Sequence, residues 1–308
     1  MSEGSSKSVY AALIGNVLIA VTKFVAASIS GSSAMLSEGI HSLVDSLNEV
    51  LLLYGMRRSR KPANAQFPFG RGKEIYFWSF VVALLVFALG AGVSFYEGVR
   101  HLRHPSAMSD ARLNYIVIGL SLVFEGLSWR VAFREFRQQQ GRLGLLEAIR
   151  RAKDPTVFTV LLEDSAALLG LVVALAGIAL GQWTGNPVFD GGASIVIGLI
   201  LASVAILLAR ECKGLLIGES ADRDVVEGIR ALIEGNPDVD RVHEILSMHM
   251  GPDFILVNIS LHVKSEADRA DVRQVFRLID ETIKARFPKV KRIFIESRYE
   301  AAAPPAGP

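Results

Sequence analysis

Six long apolar blocks, separated by short polar or strongly basic stretches, occupy the first two thirds of the chain, at 8–30, 33–56, 76–102, 113–136, 156–180 and 188–210. Each is long enough for a helix to cross the hydrocarbon core of a bilayer, which takes roughly 20 residues. The pattern therefore predicts an α-helical membrane domain of six transmembrane helices over 1–210. Beyond about Arg210 the periodicity changes. Val225, Val226, Ile229, Leu232 and Ile233 recur at helical spacing, and Gly235 follows as a stop. Val242 to Met250 and Phe254 to Val263 read as strands around the hairpin signal Gly251-Pro252-Asp253. Val272, Val275, Phe276, Ile279, Ile283 and Phe287 share one face of a second helix, and Val290 to Ser297 reads as a last strand. This αββαβ order suits a small α+β domain over 211–300, a sheet with helices on one face. The Pro/Ala-rich tail 301–308 is expected to be disordered.

Charge sharpens the picture. Of all residues 51% are hydrophobic, yet 21% are charged, and up to Arg210 those charges cluster between the apolar blocks. Lys and Arg accumulate on the cytoplasmic side of membrane proteins. Arg57, Arg58, Arg60, Lys61, Arg71 and Lys73 lie between spans two and three, and Arg134, Arg137, Arg142, Arg150, Arg151 and Lys153 between spans four and five. The stretches 30–33 and 181–187 carry no cation. Both termini are therefore expected in the cytoplasm. The N-terminal MSEGSSK lacks the pattern of a cleavable signal, so the first block is expected to be a retained span. A net charge of +2 with no basic stripe and no interleaved aromatics argues against nucleic acid. Cys212 is the only cysteine, which excludes an intrachain disulfide and a Cys-based zinc finger.

The polar residues inside the spans carry the chemistry. On span two, Glu38, His41, Asp45 and Asn48 fall at i, i+3, i+7 and i+10, one stripe of a 3.6-residue helix. Ionisable groups are costly there, which marks them as functional candidates. Imidazole with carboxylate oxygens suits Zn²⁺ and its neighbours, whereas Mg²⁺ and Ca²⁺ prefer all-oxygen sites. Span five offers the complement in Glu163 and Asp164. Consecutive residues point about 100° apart on a helix, so the two are expected to face differently, with Asp164 the ligand and Glu163 or Glu38 a further candidate. Lys23, Glu97, Glu125 and Asn16 also lie within or near spans and are read first as helix-packing residues; a structural network of His41, Asp45 and Asp164 with Lys23 is the bland alternative.

At these residues the sequence resembles the cation diffusion facilitators. Ser37-Glu-Gly-Ile-His-Ser-Leu-Val-Asp45 is similar to the family's second-span motif, and Phe67-Pro-Phe-Gly-Arg-Gly-Lys73 to the loop after it. Asp154 to Asp164 and Gly185 to Asp190 are similar to the subgroup that includes the vertebrate mitochondrial zinc exporter. The resemblance implies a homodimer with six spans and a cytoplasmic ferredoxin-like domain, moving zinc or another divalent metal against protons. It carries transport ligands over to His41, Asp45 and Asp164. Val160 stands where zinc-transporting members have a fourth ligand, four residues before Asp164. Phe67 and Arg71 stand where the family has loop histidines, so that metal site is expected to be absent. In the soluble domain His243 matches a family ligand, while the other ligand positions read as Ser260 and Ser297; His249, His262 and Glu296 are substitutes for a regulatory metal site.

The reading that results is an integral membrane protein of a bacterial inner membrane. It is expected to be a proton-coupled divalent-metal antiporter exporting Zn²⁺, or else Co²⁺, Fe²⁺ or Mn²⁺, from the cytosol by alternating access. The metal is cargo, and no prosthetic group is implied. Metal binds deprotonated ligands, so loading displaces protons, and His41 is of the type that switches near neutral pH. The alternative is a membrane metal-binding regulator or scaffold with little transport, to which the gap at Val160 lends weight. An intramembrane metalloenzyme would carry His-Glu-x-x-His on a helix, and no such run occurs, so an enzyme is not expected.

Overall fold

The apolar blocks fold as long helices in a computed structural model that describes residues 3–105, 112–140, 144–264 and 269–297. The tail 301–308 lies outside the described residues. The helices are α1 (Glu3–Ser30), α2 (Ser33–Ser59), α3 (Glu74–Leu85), α4 (Gly92–Arg103), α5 (Arg112–Gln140), α6 (Leu145–Arg151), α7 (Pro155–Thr184) and α8 (Val188–Ile217). A π-helical turn, Val86–Ala91, joins α3 to α4. The short α6 falls in the stretch that sequence reading left as a basic connection.

Local chemistry sets the boundaries. Gly31, at φ 73°, makes the turn between α1 and α2 in a conformation other residues avoid. Asp190, at the start of α8, fixes that turn: its carboxylate accepts from Ser32 Oγ and from the Ser33 backbone N–H, each at 2.6 Å. An anion at the first free amide of α2 also complements the helix dipole. At the start of α7, Asp154 Oδ1 accepts from Thr156 N at 3.1 Å and Pro155 occupies the first turn, where its missing N–H costs nothing.

Among the described residues, four helical stretches are long and apolar enough to cross a membrane: Glu74–Arg103, Arg112–Arg134, Phe158–Thr184 and Val188–Ile217. In α1 the described apolar part is the shorter Asn16–Ser30. α2 is not among the four, for a reason its faces make plain. Leu43, Leu47, Val50 and Tyr54 form an exposed apolar outer face, whereas Glu38, His41, Ser42 and Asn48 are buried on the inner one. A hydropathy average mixes the two. Exposed apolar residues line other helices too, among them Ile116, Leu120, Phe124 and Leu127 on α5 and Val196, Leu199 and Ile206 on α8. Apolar faces of this extent suit lipid, not water. Inside, Met35, Val44, Val82, Ile118, Leu171, Ile178, Ile197 and Leu201 form the buried core.

Contacts divide the chain into two compact units. One comprises the residues up to Arg58 together with Glu74–Lys213; the other comprises Ser59–Lys73 together with the chain from Gly214 onward. The second unit holds α9 (Arg223–Glu234), β1 (Val239–Gly251), β2 (Phe254–Val263), α10 (Arg269–Arg286) and β3 (Val290–Ser297). The sheet order is β1-β2-β3, with β1 and β2 antiparallel and β2 and β3 parallel. Ile229, Ile233, Ile279 and Ile283 of the helices pack on Val257, Ile259 and Leu261 of the central strand.

The segment Ser59–Lys73, which follows α2 in the chain, is built into this sheet unit. Phe69 meets Phe294 edge to face at 6.5 Å between ring centres. Gly72 lies against the Met250–Gly251 backbone so closely that a Cβ there would collide with the Met250 carbonyl. Lys73 Nζ donates to Leu216 O at 3.4 Å, and burial holds its ammonium below the usual lysine range. Arg71 stacks its guanidinium 4.1 Å above the Phe67 ring, so the two positions form a cation–π pair.

Candidate functional site

Three of the sequence candidates of the helical unit, Asp45, Glu163 and Asp164, line a small cavity among α1, α2, α5 and α7. It has a volume of about 20 Å³ and is lined by Asn16, Ser42, Asp45, Glu49, Glu125, Val160, Glu163 and Asp164. A cavity of that size holds one species about as large as a water molecule. Five of its eight lining residues carry carboxylates.

α2 supplies the largest share. His41 is 1% exposed, and its Nδ1 lies 3.3 Å from Asp45 Oδ1, one turn along the helix. The buried imidazole thus has Asp45 as its partner through Nδ1. Asp45 lines the cavity and His41 stands directly behind it. The predicted stripe on α2 does face inward, but its members divide between neighbours. Glu38 pairs with Lys23 of α1 at 3.2 Å and does not line the cavity. Asn48 donates from Nδ2 to Glu163 Oε1 of α7 at 2.8 Å.

α7 supplies the rest. The expectation that Glu163 and Asp164 face differently is corrected by the structure, because both line the cavity. The reason is reach: Glu163 has one more methylene than its neighbour and is turned by the Asn48 amide. Asp164 is half-buried and accepts from Ser128 Oγ of α5 at 2.9 Å. Val160, one turn earlier, shares the wall and brings no donor atom.

Sequence reasoning missed Glu49, which lies four residues beyond Asp45 and accepts from Asn16 Nδ2 at 2.8 Å. The i,i+4 spacing from Asp45 was the available signal. Asn16 and Glu125, read first as helix-packing residues, make inter-helix contacts with Glu49 and Lys23 and also stand on the cavity wall. Among the described residues no three His, Cys, Asp or Glu side chains are gathered closely enough to hold an ion.

The sheet unit behaves differently. His243 is exposed on β1, His249 is buried six residues further along it, and His262 is half-buried on β2 opposite Arg241. Six residues of strand separate His243 from His249 by about 20 Å. The three do not converge. Ser260 and Glu296 are paired in register across β2 and β3, as are Leu261 and Ser297.

A helical unit with apolar outer faces and a small buried cavity walled by carboxylates defines an integral membrane protein. Comparison with known proteins gives that class a family. Residues 9–217 match the model of the cation efflux transmembrane domain. The chain belongs to the cation efflux family, the cation diffusion facilitators, whose members are transporters and not enzymes and carry metal ions without a prosthetic group. It is 34% identical over 251 residues to the proton-coupled zinc antiporter SLC30A9, mitochondrial, of Xenopus laevis, which covers 81% of this chain and 45% of that protein. It is 34% identical over 266 residues to metal tolerance protein C4 of Arabidopsis thaliana, covering 86% of this chain and 57% of that protein. Against the manganese efflux system protein MneP of Bacillus subtilis it is 22% identical over 291 residues, 94% of this chain and 95% of that protein. The chain thus spans about half the length of the first two relatives.

Proposed function

We propose that the protein exports a divalent metal ion, Zn²⁺ foremost, from the cytosol in exchange for protons. The observation that carries this reading is the cavity walled by Asp45 of α2 with Glu163 and Asp164 of α7, with the buried imidazole of His41 paired to Asp45. His41, Asp45 and Asp164 act as ligands, and Glu163, already on the cavity wall, completes the shell in place of a residue at Val160. Imidazole with carboxylate favours Zn²⁺ over Mn²⁺ by ligand type. Coupling follows from competition, because a site that binds metal only when deprotonated releases protons on loading and metal on reprotonation. The site passes between the two sides of the membrane by rocking of helix groups.

The rest of the assignment belongs to the same proposal. α1 and α2 span the membrane with the four apolar stretches, which makes six spans. Both termini lie in the cytoplasm of a cell whose inner membrane holds the protein. Residues 1–210, apart from the stretch 59–73 that packs with the sheet unit, form the transport domain, and 211–300 form a cytoplasmic ferredoxin-like domain that holds a homodimer together. Regulatory metal binding at His243, His249 and His262 is not part of it, since the three stand apart. A competing reading, metal binding with little transport, is favoured by one observation only: Val160 occupies the cavity wall where a ligand would complete it.

Competition binding separates the metals. Purified protein equilibrated with equimolar Zn²⁺, Co²⁺, Fe²⁺ and Mn²⁺ is expected to retain Zn²⁺ first, with Asp164→Asn losing most of that retention. Equal retention by Asp164→Asn would remove α7 from the site.

A further inference from the structure

Lys23 of α1 is wholly buried in the helical unit. Its ammonium donates to Ser42 Oγ at 2.7 Å and to Glu38 Oε2 at 3.2 Å, and lies 3.8 Å from Glu125 Oε1. These partners are of two kinds. Ser42 and Glu125 line the carboxylate cavity, whereas Glu38 stands outside it. Glu38 has room there because α7 presents Gly170: a Cβ at that position would collide with Glu38 Oε1. The ammonium is thus held between a carboxylate away from the cavity and one on its wall.

We propose that Lys23 is a tethered counter-cation of the cavity, a positioning residue that Glu38 holds back and that competes with the metal ion for Glu125 and its neighbours. This rests on the reading of the cavity as the metal site. Carboxylates drawn around a divalent ion from such a wall hold it strongly in buried surroundings, where charges interact far more than in water. Strong binding by itself slows release. A positive charge fixed to α1 and able to lean from Glu38 toward Glu125 weakens the hold on the ion and partly replaces its charge as it leaves. Glu38 sets how far the ammonium intrudes, so its effect on metal binding runs through Lys23 and not through contact with the ion.

The test is a double-mutant cycle on the full chain, purified in detergent, with Zn²⁺ affinity measured by calorimetry at one pH and flux measured in liposomes. Lys23→Met removes the charge at similar length; it is expected to tighten Zn²⁺ binding about tenfold or more and to lower both KM and kcat. Glu38→Gln frees the ammonium toward Glu125 and is expected to weaken binding about tenfold. In the Lys23→Met background Glu38→Gln should then have no further effect, and the double variant should bind like Lys23→Met. A merely structural ion pair predicts weaker binding in both single variants, and that result overturns the proposal. A double variant as weak as Glu38→Gln makes Glu38 itself a ligand and also overturns it. If Lys23→Met does not fold, Gly170→Ala replaces it as the second probe: displacing Glu38 should weaken binding as Glu38→Gln does, and unchanged affinity refutes the idea. Absence of Zn²⁺ binding in the unaltered protein sinks the metal reading instead, so the two failures are distinct.

Discussion

Asp45→Asn is expected to lower Zn²⁺ flux at least about a hundredfold, since loss even of groups that only support a metal ligand commonly costs 10–100-fold. Asparagine keeps the shape of the side chain and removes its charge. Asp45 lines the cavity, sits 3.3 Å from His41 Nδ1 and faces Glu163 and Asp164 across the site. It is not part of the apolar core that holds α2 in place, which Met35, Val44 and Leu52 supply. The variant should therefore fold, insert and unfold near the wild-type temperature while failing to carry metal. Flux measured beside thermal unfolding of the same preparation checks both halves. Wild-type flux in Asp45→Asn would remove α2 from the pathway.

Val160→His should act in the opposite direction on binding. Val160 lines the cavity one helical turn before Asp164, so an imidazole there adds a nitrogen donor to a wall of carboxylates. Val160 is only partly buried, which leaves space for the larger ring. Zn²⁺ affinity is expected to rise about tenfold or more, with a smaller gain for Mn²⁺, because imidazole suits zinc better. Turnover should fall as release slows. Metal affinities from competition titration, read for Zn²⁺ and Mn²⁺ side by side, check this. Unchanged affinities would place the metal away from this face of α7 and would favour Glu163 as a carboxylate acting elsewhere.

Much of the helical unit was legible from hydropathy, because α3 to α4, α5, α7 and α8 are apolar enough to be seen as blocks. α2 was legible for the reverse reason: polar residues interrupt it at helical spacing, and that periodicity placed His41 and Asp45 together. The partners of that stripe were not legible. Spacing along one helix says which residues share a face, but not which neighbouring helix meets each turn of it. Glu38 therefore went to Lys23 and Asn48 to Glu163, while Glu49, Asn16 and Glu125 joined the cavity from three helices. The failed separation of Glu163 from Asp164 has a similar origin, since the 100° rule describes where a side chain starts and a flexible carboxylate decides where it ends. In the second unit the alternation of Ile255 to Val263 fixed the central strand. The docking of Phe69 and Gly72 on the sheet rests on contacts between residues more than 170 apart, which no local pattern records.

The segment Ser59–Lys73 ties the two units together along the chain. α2 carries Asp45 and runs directly into a stretch that belongs to the sheet unit, and α3 begins where that stretch ends. The two units are thus joined by three chain crossings, at Arg58, Lys73 and Lys213.

The central claim is that the cavity between α2 and α7 carries metal across the membrane in exchange for protons. Purified protein reconstituted in liposomes with a Zn²⁺ indicator inside tests it directly. The account predicts Zn²⁺ entry that is driven by an opposing pH gradient, that moves protons in the other direction, and that stops in Asp45→Asn. Zn²⁺ binding without flux under the same gradient would contradict it and leave the protein a membrane metal binder.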